Sequence, residues 1–122
     1  MRFAQEKIEG YTIRAYAPDA ITVNEEVIRT SVVVTPGQIL TDWLPERFEE
    51  LDATHLARLE ELNPEIIVIG TGDKLRFPEP HFTAGFLMQG IGVEVMDTNA
   101  ACRTYNILLS EDRNVVAALM LG

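Results

Sequence analysis

A short Gly-Thr-Gly loop is the feature of this sequence that most resembles a site for chemistry. Gly70, Thr71 and Gly72 form the loop, which follows the apolar run from 66 to 69. A run without polar alternation is typical of a strand buried on both faces, and α/β sheets bind ligands at the carboxyl ends of such strands. The loop therefore predicts a small-anion or metabolite site in which the backbone amides of residues 70 to 73 face the ligand.

Known glycine signatures for phosphate do not fit this loop. The dinucleotide fingerprint needs a third glycine where this sequence has Leu75, and no Gly-Lys-Ser/Thr follows to make a P-loop. Asp73 also adds negative charge beside the loop. The alternative is that Gly70 and Gly72 serve backbone geometry, through a positive φ angle or close packing. We expect the loop first to turn a corner, and ligand binding is a hypothesis.

A second group of polar residues follows another predicted strand. Asp97 or Thr98 can cap the next helix, so both loops are expected to open on the same edge of the sheet. Farther along this helix, Asn99, Arg103 and Asn106 share a face, where the arginine can bind a carboxylate or the face is simply solvated. The candidate ligand-binding residues in this group are Asp97, Thr98, Arg103, Thr104 and Asn106.

Other reactive residue types do not form a catalytic group. Cys102 lies near a helix start and beside Arg103, which lowers a thiol pKa, but its alanine neighbours favour a small buried core residue. His55 and His81 are not at metal-ligand spacing. The sequence predicts no catalytic residue, no metal and no cofactor, and it leaves enzymatic activity open.

Composition limits the partners of the chain. The 122 residues carry 19 acidic and 10 basic side chains, a net charge of -9, which disfavours nucleic acid as a partner. No segment is long and apolar enough to span a bilayer, and the first 20 residues lack the apolar core of a signal peptide. We expect one cytoplasmic domain over residues 1 to 122.

Acidic residues are concentrated in the segment 46 to 65. This pattern indicates a solvated acidic face or a docking surface for a basic partner. The seven acids are Glu46, Glu49, Glu50, Asp52, Glu60, Glu61 and Glu65, against two bases, Arg47 and Arg58.

The first third of the chain reads as short antiparallel hairpins. Residues 11 to 36 are rich in β-branched side chains and are interrupted by turn residues. Residues 36 to 47 look irregular, and we expect Trp43 and Leu44 to anchor this connection to the core.

From residue 54 onward, helices and strands alternate. Thr54 is a candidate N-cap for the first helix, which places Leu56, Leu59 and Leu62 on one face. The second helix is expected to turn Phe82, Phe86 and Leu87 inward. The predicted elements are helix 54 to 62, strand 66 to 69, helix 78 to 90, strand 92 to 96, helix 97 to 110 and strand 114 to 121. This order predicts an α/β domain with a mixed, mostly parallel central sheet.

Several segments together resemble a known family. They are "ITVN" at 21 to 24, "SVVVTP" at 31 to 36, "IIVIGTG" at 66 to 72 and the stretch from 90 to 120. The combination is similar to a bacterial and archaeal family of unknown function whose eukaryotic relative is the mitochondrial respiratory complex I assembly factor 3. The resemblance implies a single three-layer α/β domain with a mixed sheet.

The resemblance also implies a function. For the mitochondrial branch it implies a protein that helps to assemble a membrane enzyme through protein contacts and not by catalysis. Without a transit peptide, the chain looks like a prokaryotic member. A non-enzymatic assembly or interaction factor is the favoured hypothesis. The alternative is a small-anion or metabolite-binding protein, which could be an enzyme, with its crevice between the Gly70-Thr71-Gly72 loop and the start of the helix at 98 to 110. A homodimer, formed through a strand edge or an apolar patch, is also plausible.

Overall fold

The N-terminal hairpins form a small sheet of their own. The structure, a computed structural model, describes residues 10–122. The small sheet is antiparallel in the order β1-β2-β3, with bounds Ile13–Ala17 (β1), Ala20–Val23 (β2) and Glu26–Ile28 (β3). The absence of a signal peptide was predicted from the first 20 residues. Residues 1 to 9 of that segment lie outside the described residues.

The larger sheet has five strands and is mixed, as predicted. Its strands are Val32–Val34 (β4), Ile39–Leu40 (β5), Ile66–Thr71 (β6), Gly92–Met96 (β7) and Val115–Met120 (β8). They lie in the order β5-β4-β8-β6-β7. β6 is parallel to both β7 and β8, whereas β4 is antiparallel to both β5 and β8. The parallel half carries the Gly-Thr-Gly loop at the end of β6.

Two layers cover this sheet. The helices are Ala53–Ala57 (α1), Pro80–Met88 (α2) and Thr98–Ser110 (α3). β8 shows the layering, since alternate side chains point to opposite faces of a strand. Val115, Ala117 and Leu119 pack with α3 and the small sheet. Val116, Ala118 and Met120 pack with α1 and α2. The predicted three-layer α/β architecture is confirmed.

The first helix differs from its prediction in its N-cap and in the helix type of its second half. Asp52, and not Thr54, is its N-cap, because the Asp52 carboxylate accepts hydrogen bonds from the amides of Thr54 and His55. His55 Nδ1 in turn accepts from the Asp52 N–H at 3.0 Å. The α-helical part ends at Ala57 and a 3-10 helix continues over Arg58–Leu62. Asn63, in the left-handed conformation, ends it after Leu62, the last residue of the predicted helix.

Most predicted core contacts of the helical layer are present. Leu56 and Leu59 are fully buried, and Trp43 and Leu44 pack against the same core. In α2, Phe86 is buried but Leu87 is 59% exposed, so its predicted inward position was wrong. The reason is that Phe86 faces the sheet and the next residue lies about 100° farther around the helix.

Candidate functional site

The two glycines of the loop each meet a backbone requirement. At Gly70, an added Cβ would lie 2.8 Å from Thr98 Oγ1 and 3.1 Å from Ala101 Cβ, so α3 packs directly on the strand backbone. Gly72 has a φ angle of +107°, a conformation that side chains with a Cβ rarely adopt. These residues allow β6 to end beneath the start of α3.

Gly72 and Thr98 join the two predicted loops directly. The Gly72 N–H donates to Thr98 Oγ1 at 2.8 Å, and the Thr98 N–H donates to the Gly72 carbonyl at 2.9 Å. The buried Thr98 hydroxyl donates to the Met120 carbonyl at 2.6 Å. We call this group of Gly72, Thr98 and Met120 the Gly72–Thr98 junction. It ties the ends of β6 and β8 to the start of α3.

The remaining polar groups of the loop are also used within the chain. The Asp73 N–H donates to the Gly122 carbonyl at 3.0 Å. The Thr71 hydroxyl donates to the Lys74 carbonyl at 2.8 Å and accepts from the Arg76 N–H at 3.0 Å. The amides of residues 72 and 73, which the anion hypothesis needs, therefore already have acceptors.

Asp97 and Asn106 have structural contacts on α3. Asp97 is the N-cap, as predicted, and its carboxylate accepts from the Ala100 N–H at 2.9 Å. Asn106 Oδ1 accepts from the Ile13 N–H at 2.9 Å, and its Nδ2 donates to the Ile13 carbonyl at 2.7 Å. The Asn106 amide thus completes the backbone hydrogen bonding of β1 at this position.

The other polar residues of α3 point in different directions. Arg103 is exposed, and its Nη1 donates to the Asn99 carbonyl at 3.4 Å. The Thr104 hydroxyl contacts Met96 Sδ at 3.3 Å, on the side of β7. The predicted stripe of Asn99, Arg103 and Asn106 therefore does not form one open face, because Asn106 is bound to β1.

Two titratable groups near the start of α3 are perturbed by burial. Cys102 is 4% exposed, and burial raises the pKa of its thiol to about 12. This confirms the interpretation of a buried core residue. Within residues 10–122, the Tyr16 hydroxyl is the one buried side-chain oxygen or nitrogen without a hydrogen-bond partner. Burial, and then the charge of Asp73, raises the pKa of Tyr16. Apart from its place in a predicted strand, no sequence pattern marks Tyr16.

A groove that the sequence did not predict runs beside the loop. Phe48, Glu49 and Arg76 line two neighbouring cavities of about 350 and 440 Å³. Arg47 lies in the first cavity, and Phe77, which is 72% exposed, lies in the second. Two arginines and three phenylalanines line the groove because the 3-10 helix Phe48–Glu50 lies beside the segment that follows β6. The Arg76 guanidinium donates to the Thr71 carbonyl at 2.8 Å.

The seven acidic residues of segment 46 to 65 are all exposed but do not form one compact cluster. Asp52 caps α1, and Glu60 accepts from Gln89 Nε2 at 3.0 Å. Glu65 accepts from the Asn114 N–H at 2.9 Å, and that hydrogen bond lowers the pKa of its carboxyl group. Glu49 lies at the carboxyl end of β6 and Glu65 precedes its amino end, so the segment extends along the whole strand.

Residues 10 to 122 contain neither a group of metal-binding side chains nor a helix that could cross a bilayer. From residue 10 to residue 122, no three His, Cys, Asp or Glu side chains are grouped so as to hold a metal ion. None of the helices in that range has the length and apolar character needed to cross a bilayer.

Comparisons with known proteins identify relatives over most of the chain. Residues 13–120 match a family described as "Protein of unknown function (DUF498/DUF598)". A Xenopus tropicalis protein named "NADH dehydrogenase [ubiquinone] 1 alpha subcomplex assembly factor 3" is 31% identical over 98% of this chain and 66% of its own length. The chain therefore spans slightly less than two thirds of that relative.

A bacterial relative and a solved structure match more completely. A Francisella tularensis protein named "13 kDa major membrane protein" is 30% identical over 94% of this chain and 95% of its own length. A crystal structure of a Bordetella parapertussis protein has a TM-score of 0.86 and 36% sequence identity, and covers 93% of this chain and 97% of that one. This fold is therefore shared with a bacterial protein of nearly the same extent.

Proposed function

From the membership of this chain in the DUF498/DUF598 family, to which it belongs over residues 13–120, we propose that it is a non-enzymatic assembly or protein-interaction factor. The observation that carries the proposal is its similarity, over 98% of its length, to a protein named as a respiratory complex I assembly factor. Such a factor acts by holding a partner in a favourable arrangement, and its function depends on surfaces more than on a reactive group.

The surface of the domain supports an interaction role. The polar groups of the Gly72–Thr98 junction bond to one another, whereas exposed acidic side chains run from Glu46 to Glu65. In this segment Glu60 and Glu61 are adjacent and exposed. A basic partner surface would gain mainly association rate and specificity from such a charge distribution. We therefore assign this acidic segment as the docking surface for a basic partner.

Charge reversal tests this assignment. Glu60→Lys combined with Glu61→Lys is expected to weaken capture of the partner at least about tenfold, because attraction between opposite charges becomes repulsion. Glu25→Lys combined with Glu26→Lys is the matched control, since that pair is also adjacent and exposed but lies at the turn between β2 and β3. Quantitative capture from cells of the source organism, with circular dichroism as the folding check, compares the variants. Equal capture by all three chains would exclude the acidic docking surface.

We further propose that the protein acts in the cytoplasm and reaches membrane enzymes only through protein contacts. Because the Francisella relative is named a membrane protein, the location of this protein needs an experimental test. The expected result is recovery in the soluble fraction, or release from membranes by high salt, because surface charge contacts are screened by salt. Retention after a high-salt wash would contradict this location.

The alternative function is binding of a small anion or metabolite. The observation that favours it is the groove with Arg47 and Arg76, which lies beside the predicted loop. Arg103→Ala tests the predicted crevice and Arg47→Ala tests the groove, with native mass spectrometry of gently purified protein as the measurement. A small adduct lost only from Arg103→Ala would place the ligand at the start of α3. An adduct lost only from Arg47→Ala would place it in the groove. Protein without any adduct would count against this alternative.

A further inference from the structure

Strand β7 forms one edge of the larger sheet. Among the described residues it pairs only with β6, in parallel, with Gly92 opposite Ile66. The Gly92 N–H donates to the Glu65 carbonyl at 3.0 Å, and this bond shows which residues of β7 turn their backbone groups toward β6. Gly92, Glu94 and Met96 therefore direct their backbone groups to β6, while Val93 and Val95 direct theirs outward. Two N–H and two C=O groups face away from the sheet.

The side chains of β7 differ between its two faces. Val93 and Val95 are partly buried against the core on the side of α2. Glu94 points to the opposite face and is exposed. α2 packs against β7, and its last residues leave Leu87 59% and Met88 87% exposed. An added strand would meet apolar side chains on one face and a carboxylate on the other.

A second copy of this chain does not fit the edge well. Antiparallel self-pairing that uses both outward residues places Val93 opposite Val95 of the other copy and Glu94 opposite Glu94. Directly opposed side chains have Cβ atoms about 4.5–5.5 Å apart, and like charges at this position destabilise the pair. A basic residue opposite Glu94 would instead be attracted. The charge of Glu94 thus disfavours the homodimer and favours a different strand.

We propose that β7 is a docking edge for an extended segment of a protein partner with the pattern apolar, basic, apolar. The two apolar residues lie beside Val93 and Val95, the basic residue lies beside Glu94, and four backbone hydrogen bonds add an antiparallel sixth strand to the sheet. The inference rests on the proposed interaction function and names the chemistry of one partner segment.

Two matched peptides test the edge. Their cores are Thr-Val-Lys-Val-Thr and Thr-Val-Glu-Val-Thr, and binding is followed at millimolar peptide by the amide NMR signals of Val93 and Val95. The lysine peptide is expected to bind about fivefold more tightly, and Glu94→Lys is expected to reverse the preference. N-methylation of the two valines, whose amides face β7, should abolish binding. N-methylation of the lysine and of the C-terminal threonine should not, because their amides point away from β7.

Three results would overturn the proposal. They are no shift of the β7 amides with either peptide, equal affinity for both peptides in wild type and Glu94→Lys, and a concentration-dependent homodimer that Val93→Pro abolishes. The proposed function fails separately. If wild-type protein captures a partner and the lysine peptide does not compete, only the assignment of this edge is wrong. If no partner is captured at all, the interaction function itself is wrong.

Discussion

Two regions of the larger sheet, the contacts with α3 and the β7 edge, use their polar groups in opposite ways. On the α3 side, the Gly72–Thr98 junction and the Asn106 contact to Ile13 pair backbone groups with side chains inside the molecule. At the β7 edge, backbone groups of Val93 and Val95 face outward, and the end of α2 beside it leaves apolar side chains exposed. A conspicuous sequence motif can therefore serve the fold alone. The glycine loop is bonded within the chain, whereas β7 forms an edge that no other strand among residues 10–122 covers.

The largest effect among the variants at α3 and its contacts is expected at Gly70. Gly70→Ala places a methyl group 2.8 Å from Thr98 Oγ1 and 3.0 Å from Thr98 Cα, so overpacking should cost about 3 kcal/mol of unfolding free energy. Gly85→Ala is the control, because nothing lies within 4 Å of the added Cβ in α2. That variant should be stabilised by about 0.5–1 kcal/mol. Urea unfolding measures both, and equal effects would show that α3 does not pack tightly on β6.

The next effect is expected at Asn106, whose side chain satisfies the backbone N–H and C=O of Ile13 in β1. Asn106→Ala removes two hydrogen bonds and leaves the Ile13 backbone without partners, which should cost about 2 kcal/mol. Asn99→Ala, at an exposed position on the same helix, should change stability by less than about 0.5 kcal/mol. Hydrogen exchange at the Ile13 amide provides a local measurement. Unchanged protection in Asn106→Ala would mean that the side chain does not close this edge.

The burial of the Cys102 thiol on the inner face of α3 can be tested by the pH dependence of the unfolding free energy. Its pKa is raised to about 12 in the folded chain, whereas an unfolded thiol ionises near about 8.5. Folding therefore has its full stability below about pH 8.5 and loses up to about 1.4 kcal/mol per pH unit above it. Cys102→Ala should show a shallower decline above pH 9 in urea unfolding. Parallel declines, or fast reaction of the folded thiol with a disulfide reagent at pH 8, would contradict the burial.

The smallest effect is expected at the exposed end of α2. Met88→Gln should change the unfolding free energy by less than about 0.5 kcal/mol, because the side chain is 87% exposed. Phe86→Ala, two residues away and buried, should cost about 3–5 kcal/mol. Thermal and urea unfolding compare them. A large loss in Met88→Gln would show that this surface is part of the core.

Hydrophobic periodicity was sufficient to predict the architecture but not the contacts between distant segments. The unbroken apolar run at 66 to 69 correctly indicated a buried strand, and the residues after 90 gave β7, α3 and β8 within one or two residues. The N-cap prediction failed because Asp52 and Thr54 are both good caps, and only the fold selects between them.

Candidate site residues were harder to interpret than the elements that carry them. Thr98 and Asn106 were selected for their polarity, but the partners that satisfy them are Gly72, Met120 and Ile13, which are remote in sequence. The groove between Arg47 and Phe77 was missed for the same reason. A polar residue on a predicted helix gives no information about which backbone will meet it.

The central position of β8 has a consequence for how the protein is made. β4 and β6 each pair with β8 and not with each other, so the sheet is divided until residues 115 to 120 are present. During translation the hairpins, α1, β6 and β7 emerge first, and their apolar faces stay incompletely covered. Pairing between segments far apart in sequence is slow, and unpaired strands are prone to aggregate. A ribosome that stalls shortly before residue 115 would hold two unjoined halves of a sheet, an expected substrate for chaperones.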